Sequence, residues 1–316
     1  MPLTYVSHQV PAFAAKLVAA QWFDGTALAL GSMSPDWPFA LAGTRWQVNA
    51  HSTAGVVLLC VPVTTAAALA VRSLAPVAAA YLPEFPGLPL RRLALLDYRQ
   101  PPLAMTVLSA LAGAWSHVAW DSFTHDGRWG ARRLRWLAST HHVNGHPISG
   151  AMLAQHGSTV VGGVVGLVLL SRVLRELPVW AEAKPVGWSR VEPAGVEESG
   201  AGVEGAGVGA AGVEGAGAGA GGSAQPGLVA GWAQEGWAQA GWAAGGPADG
   251  PIPGRTEFWA AVAVGTATGA VWGSRGGWDG RFNIAVLVIR TSIGTAAGAV
   301  VGALRARRKL RTPTSA

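Results

Sequence analysis

Long apolar runs separated by short polar or basic segments set the pattern of this chain. Five of them, of about 18 to 24 residues, approach the length a helix needs to cross a hydrocarbon core about 30 Å thick. They predict spans over residues 51–71, with a kink at Pro62, and over 102–120, 156–174, 257–273 and 283–304. The first fifty residues behave differently. Residues 11–23 are amphipathic, and the apolar stretch 25–41 is interrupted by Gly31, Pro35 and Pro38, which suits an interfacial or re-entrant segment better than a straight helix. The expected fold class is therefore all-α, a polytopic transmembrane helical bundle of about five spans plus an N-terminal amphipathic or re-entrant segment.

Two further patterns divide the chain. Between 192 and 250 the sequence becomes a low-complexity mixture of Gly, Ala and Val with Trp232, Trp237 and Trp242 five residues apart, a period that fits neither a helix face nor a strand face. It reads as a linker. In the last two runs Gly265, Gly269 and Gly273, then Gly294, Gly298 and Gly302, recur every four residues, a spacing that lets two helices approach closely in lipid. The domain reading is a membrane-embedded unit over 1–175, a linker over 176–255, a glycine-zipped helical hairpin over 256–305 and a basic tail over 306–316.

Composition agrees with a membrane setting. Half of the 316 residues are hydrophobic and only 13% are charged, less charge than a soluble protein of this length normally carries. The net charge of +6 resides mainly in flanks of apolar runs, without the aromatic and basic interleaving that nucleic-acid recognition uses, so no nucleic-acid partner is expected. The single cysteine, Cys60, excludes a disulfide framework and reads as a small core residue. The N-terminus has no basic region leading into an apolar one, so a cleaved signal is not expected. With five spans, eight Lys or Arg fall on the side of the N-terminus and fourteen on the other, where RARRKLR dominates. The positive-inside rule then makes the C-terminus cytoplasmic and the other face extracytoplasmic.

The candidate chemistry lies at that second face. His117, Asp121 and His125 follow one another at four-residue steps, close to one face of a helix. Ionisable groups at the edge of a span are costly unless they pair, bind an ion or meet water. Imidazole and carboxylate are the ligand types of zinc and similar ions. His117 and His125 would be about 12 Å apart along an ideal helix, too far to share one ion, so His117 and Asp121 are expected to share a metal or Asp121 to bridge two, with His125 in a second site or behind the first. His8, Asp36, His51 and His156 arrive at the same face and complete the expected ligand set, with Asp36 and Asp121 also candidate catalytic bases. His141, His142 and His146 are expected to face solvent. Ser158 lacks a nucleophile elbow, and no P-loop, dinucleotide fingerprint or HExxH occurs. Arg290, inside the last run, is expected to pair with an acid, snorkel or hold an anionic substrate.

The ordered motifs SHxxP, GSxxPD, HS, HxxWDxxTH and QHGS, at His8, Asp36, His51, His117 to His125 and His156, resemble a membrane protein family of bacteria, the domain-of-unknown-function family numbered 4184. The resemblance covers about 1–175 and the C-terminal hairpin; the Gly/Ala/Trp insert departs from it. That family is in turn distantly similar to inner-membrane metal-dependent hydrolases and to the zinc-dependent phospholipase C and P1 nuclease group. The resemblance implies a multi-pass protein of the bacterial inner membrane, with zinc as the divalent metal. By analogy alone it implies hydrolysis of a lipid or other phosphoester. The other expectations left open are a protein that binds or transports a metal without catalysis and a purely structural bundle.

Overall fold

A computed structural model describes residues 5–98, 100–182, 254–274 and 281–311. Residues 183–253 of the expected linker, with its tryptophans, and the end of the basic tail lie outside the described residues. The described residues are mostly helical. Among the described residues four helices are long and apolar enough to cross a membrane: Thr53–Tyr81, Leu103–Thr124, Gly150–Trp180 and Val286–Arg308. The first is a short α4 (Thr53–Gly55), a π-helical stretch Val56–Cys60 and α5 (Val61–Tyr81) in one rod; the second is α6 (Leu103–Thr124). The third, α9 (Gly150–Glu182), begins earlier and ends later than its apolar run, so the first residues assigned to the linker are still helix.

The N-terminal segment enters the bundle and returns. Chain entry is through α1 (Tyr5–His8) and α2 (Val10–Val18), and the return is through α3 (Gly25–Gly31) and a 3-10 helix Ser34–Leu41. The turn at its deepest point is closed by Lys16, whose Nζ donates to the carbonyls of Ala20 and Phe23, and by Asp24, whose side chain accepts from the amides of Thr26 and Ala27. Irregular backbone at this depth survives only where protein supplies its hydrogen bonds. Close backbone contact fixes the position of the segment: a Cβ at Gly31 would lie 2.5 Å from the Ala110 carbonyl oxygen, and one at Gly113 would lie 2.3 Å from that of Leu28. The two ends of this segment, His8 and Asp36, thus reach the same end of α6.

The C-terminal hairpin consists of helices Arg255–Ser274 and Arg281–Arg311. A Cβ on Gly265 would fall 2.2 Å from the Gly294 carbonyl oxygen, and one on Gly294 the same distance from Gly265, so the helices touch through backbone. Only four of the five expected spans pass on length and apolar composition, because Glu257 and the glycines and threonines dilute the Arg255–Ser274 helix. Its packing still carries it along the partner from Leu287 to Ala306. Phe258, near its start, clusters with Tyr81, Ala303 and Ala306, and the Trp272 carbonyl near its end accepts from Arg290. Arg290 Nε and Nη2 also donate to the carbonyls of Ala40 and Ala42, at 2.8 and 3.3 Å. Its expected acid, interface or substrate partner is therefore replaced by three carbonyls that join the hairpin to the end of the Ser34–Leu41 turn.

Among the described residues, one pair of strands interrupts the helices. Between α6 and α9, after the short helices α7 (Trp129–Arg133) and α8 (Arg135–Ala138), strands Thr140–Val143 and His146–Ser149 pair antiparallel. Asn144 and Gly145 turn between them at φ 52° and 80°, the geometry an Asn-Gly hairpin favours.

Candidate metal centre

His51 lies just before the first membrane-length helix, His125 just after α6, and α9 begins at Gly150 at the same end of the bundle. Each cluster residue has a local reason to be there. The ring of His117, one turn before Asp121 on α6, is fixed by Nδ1, which lies 2.8 Å from the Ser32 carbonyl oxygen. A carbonyl only accepts, so Nδ1 carries a proton, and in the neutral ring Nε2 presents a lone pair. His8 sits at the end of α1, which packs on α9 where a Cβ at Gly162 would meet Ser7 Cβ at 2.6 Å. Just after His51, Ser52 caps the first helix by accepting from the Gly55 amide. His125 follows the last turn of α6 with extended backbone, φ −122° and ψ 136°.

The four side chains Asp36, His51, Asp121 and His117 form a ring of donor atoms. Asp36 Oδ1 is 3.5 Å from His51 Nε2 and 3.4 Å from His117 Nε2; Asp121 Oδ2 is 3.3 Å from His51 Nε2 and 3.5 Å from His117 Nε2. The other oxygen, Asp121 Oδ1, faces His8 Nε2 at 3.5 Å and His125 Nδ1 at 3.4 Å. The His8 and His117 rings stack with centroids 4.1 Å apart. His8, His117 and Asp121 are buried, and a cavity of about 110 Å³ opens between His8, Asp36, His51, Asp121 and His125.

These separations are too long for good nitrogen to oxygen hydrogen bonds, which cluster near 2.9–3.0 Å. They match another geometry. Ligand atoms held tetrahedrally about 2.0–2.1 Å from a zinc ion lie about 3.3–3.4 Å from each other. His8 Nδ1, His117 Nε2 and Asp121 Oδ1 are buried without a hydrogen-bond partner. Burying two carboxylates against imidazole lone pairs is unfavourable unless a proton or a metal cation sits among them. Two overlapping groups have ligand atoms all within 4.8 Å of one another: His8, His117 and Asp121, and Asp36, His51 and His117. The Nδ1 bond to Ser32 is the kind of outer contact that orients a ligating histidine.

The residues outside the crossing helices show the same balance. Burial and the neighbouring His117 lower the His8 pKa to about 4, so this imidazole is neutral at physiological pH. Burial favours a neutral Asp36, but the facing imidazoles of His117 and His51 outweigh it and hold this carboxyl well below the usual range. Burial likewise works against a charged His51, and the carboxylates of Asp121 and Asp36 reverse it and raise the pKa above 6.5. Burial lowers that of His125.

Of the seven residues expected to gather, six do. His156 does not: it is exposed, and its Nδ1 lies 2.7 Å from the Met152 carbonyl oxygen of its own helix. Its neighbour Gln155, which sequence reasoning missed, is buried and places Nε2 2.9 Å from His125 Nε2. Arg128, also missed, lines the small cavity. His142 and His146 are exposed and His141 is bonded within its own loop, to Ser139 and the Trp136 carbonyl.

Fold and site together define an all-α membrane protein with a buried His/Asp cluster at one end of its spans. A family described as "Domain of unknown function (DUF4184)" matches residues 1–196, and the chain belongs to it. All six cluster residues lie in the matched region and the hairpin lies outside it. No curated protein and no solved structure matches the chain.

Proposed function

We propose that this protein binds a divalent metal ion, zinc, through Asp36, His51, His117 and Asp121, and is a metal-dependent hydrolase of a lipid or other phosphoester. The observation that carries the reading is the set of 3.3–3.5 Å separations around the unpartnered His117 Nε2, too long for good hydrogen bonds and of the length that neighbouring ligands of a metal ion show, with His117 common to two three-residue groups of ligand atoms. A divalent ion held there supplies a Lewis acid that activates water and polarises a phosphoryl oxygen. Asp121 Oδ1, turned away from the ring, faces His8 and His125, imidazoles of the type that accept or return a proton. Asp36, at the cavity wall, is the alternative base. Passage of the cation across the bilayer is disfavoured because the buried acid deeper in the same bundle, Asp24, is already paired with Arg72. The proposed setting is the bacterial inner membrane with the cluster extracytoplasmic, on the balance of basic residues between the two faces.

The test is metal content of the detergent-purified protein by mass spectrometry. Near-stoichiometric zinc or manganese in the wild type, lost in His117→Ala and Asp121→Ala, is the expected result and justifies assaying phosphoester substrates. Absence of metal in every sample, even after reconstitution, removes both the metal and the hydrolase readings in favour of a structural bundle.

A further inference from the structure

The cluster cavity does not end at the ligands. His51, Phe39 and Arg128 also line a wider neighbour of about 440 Å³, walled by Pro35, Pro38, Val48 and Ala50 with the polar side chains of Gln47 and Asn49. No carboxylate lines this outer chamber, in contrast to the inner one with Asp36 and Asp121. Arg128 is the group that touches both and carries a permanent positive charge. Its side chain is exposed, and its neighbours fix the backbone that carries it. After α6 ends, Gly127 takes the left-handed conformation at φ 72° and turns the chain. Asp126, two residues before Arg128, is engaged by the hydroxyl of Ser149. Among the described residues no ion pair involves Arg128.

We infer that Arg128 and the outer chamber form an anion-binding subsite that takes the phosphoryl group of the substrate and delivers it to the metal cluster. A guanidinium offers a fork of donors that matches two phosphoryl oxygens, and one further oxygen would then face the ligand ring across His51. The surroundings point to a phosphate carried at headgroup level. Arg132, Arg133 and Arg135 are exposed on the adjoining short helices together with Trp129, Leu134 and Trp136, the mixture of basic and aromatic residues that sits at a membrane interface. This inference rests on the metal reading above, and its test separates the two.

Cobalt(II) replaces zinc as a visible probe, and phosphate affinity is read from the change in its absorption. Wild type, Arg128→Gln and Arg128→Lys are compared in two arms: inorganic phosphate added to protein in detergent, and phosphatidate in nanodiscs of phosphatidylcholine. The expected result is full cobalt content in all three proteins, with Arg128→Gln binding phosphate at least about tenfold more weakly and Arg128→Lys falling between. The arm with the larger ratio identifies free or lipid phosphate as the source. Equal affinity of wild type and Arg128→Gln in both arms, at full cobalt content, overturns the subsite and leaves the metal reading standing. Failure of the wild type to hold cobalt or zinc overturns both.

Discussion

Two buried polar groups lie in the same bundle and differ in how they are satisfied. The deeper one joins Asp24 at the bottom of the re-entrant segment to Arg72 on α5: the Asp24 carboxylate accepts from Arg72 Nη1, from Thr106 Oγ1 at 2.8 Å and from two amides, and the Asp24 amide donates to Ser109. Arg72 Nε adds a bond to Gln100. Charge and hydrogen bonds nearly close there, with Arg72 Nη2 left over. The His/Asp cluster gathers as much charge, yet nitrogens and oxygens face each other at distances where neither bonds the other well. A closed network holds a fold together, whereas an open one of this chemistry is shaped for something that enters it.

The contrast is sharpest when one acid is removed from each group. Asp24→Ala leaves Arg72 buried without its counter-charge, an arrangement that costs about 3–5 kcal/mol. Loss of folded, monodisperse protein on size exclusion is the expected outcome, and the paired replacement Asp24→Leu with Arg72→Met recovers most of it, since an apolar pair needs no partner. If Asp24→Ala alone is as stable as wild type, the deeper network is not what anchors the re-entrant segment. Asp121→Ala behaves differently. It leaves Asp36 facing both His51 and His117, so the metal-free variant loses less stability than Asp24→Ala does. Adding zinc at about 100 times its dissociation constant stabilises wild type by about 2.7 kcal/mol and does nothing for the variant. Thermal melts with zinc and with chelator check both statements.

Protons compete with the metal at the same atoms, and the direction follows from His51. In the metal-free protein this imidazole has a pKa raised above 6.5, so it is mostly protonated below that raised value, and zinc must displace the proton to bind. Apparent zinc affinity is therefore expected to fall as pH drops through the raised His51 value and to level off above it. His8, with its pKa at about 4, adds no further slope near neutrality. Titration calorimetry in buffers of different ionisation enthalpy counts the protons released; a count of zero at pH 6.5 would show that His51 binds no proton there.

Much of this was legible in the sequence, and what was missed has physical reasons. The apolar runs located the crossing helices because length and hydropathy suffice for that, and the four-residue step placed His117 and Asp121 together because helix geometry is local. The reading that set His125 in a second site or behind the first, not on one ion with His117, assumed an ideal helix; the helix stops at Thr124, and the extended His125 faces Asp121 Oδ1. Asp24 and Arg72 lie 48 positions apart, and nothing local to either announces the other. The Asn-Gly turn at 144–145 was a strand signal inside a loop read only for its charge.

His156 and Gln155 are the finest instance, and they give the smallest predicted effect. Both sit on the first turns of α9, and composition favours His156 as the ligand. Which of them faces the cluster depends on the rotation of that helix about its axis, and this is set by close packing further along, where Cβ atoms at Gly162 and Gly166 would strike Ser7 and the Val6 carbonyl. That packing turns Gln155 inward against His125 and leaves His156 outward. His156→Ala is therefore expected to leave zinc content and melting temperature unchanged. Gln155→Ala, which frees the His125 ring, is expected to weaken zinc binding by no more than the 10- to 100-fold typical of losing an outer hydrogen bond to a metal site. If His156→Ala proves the more damaging, the helix is rotated from the orientation described, and the His/Asp ring must be rebuilt with His156 inside it.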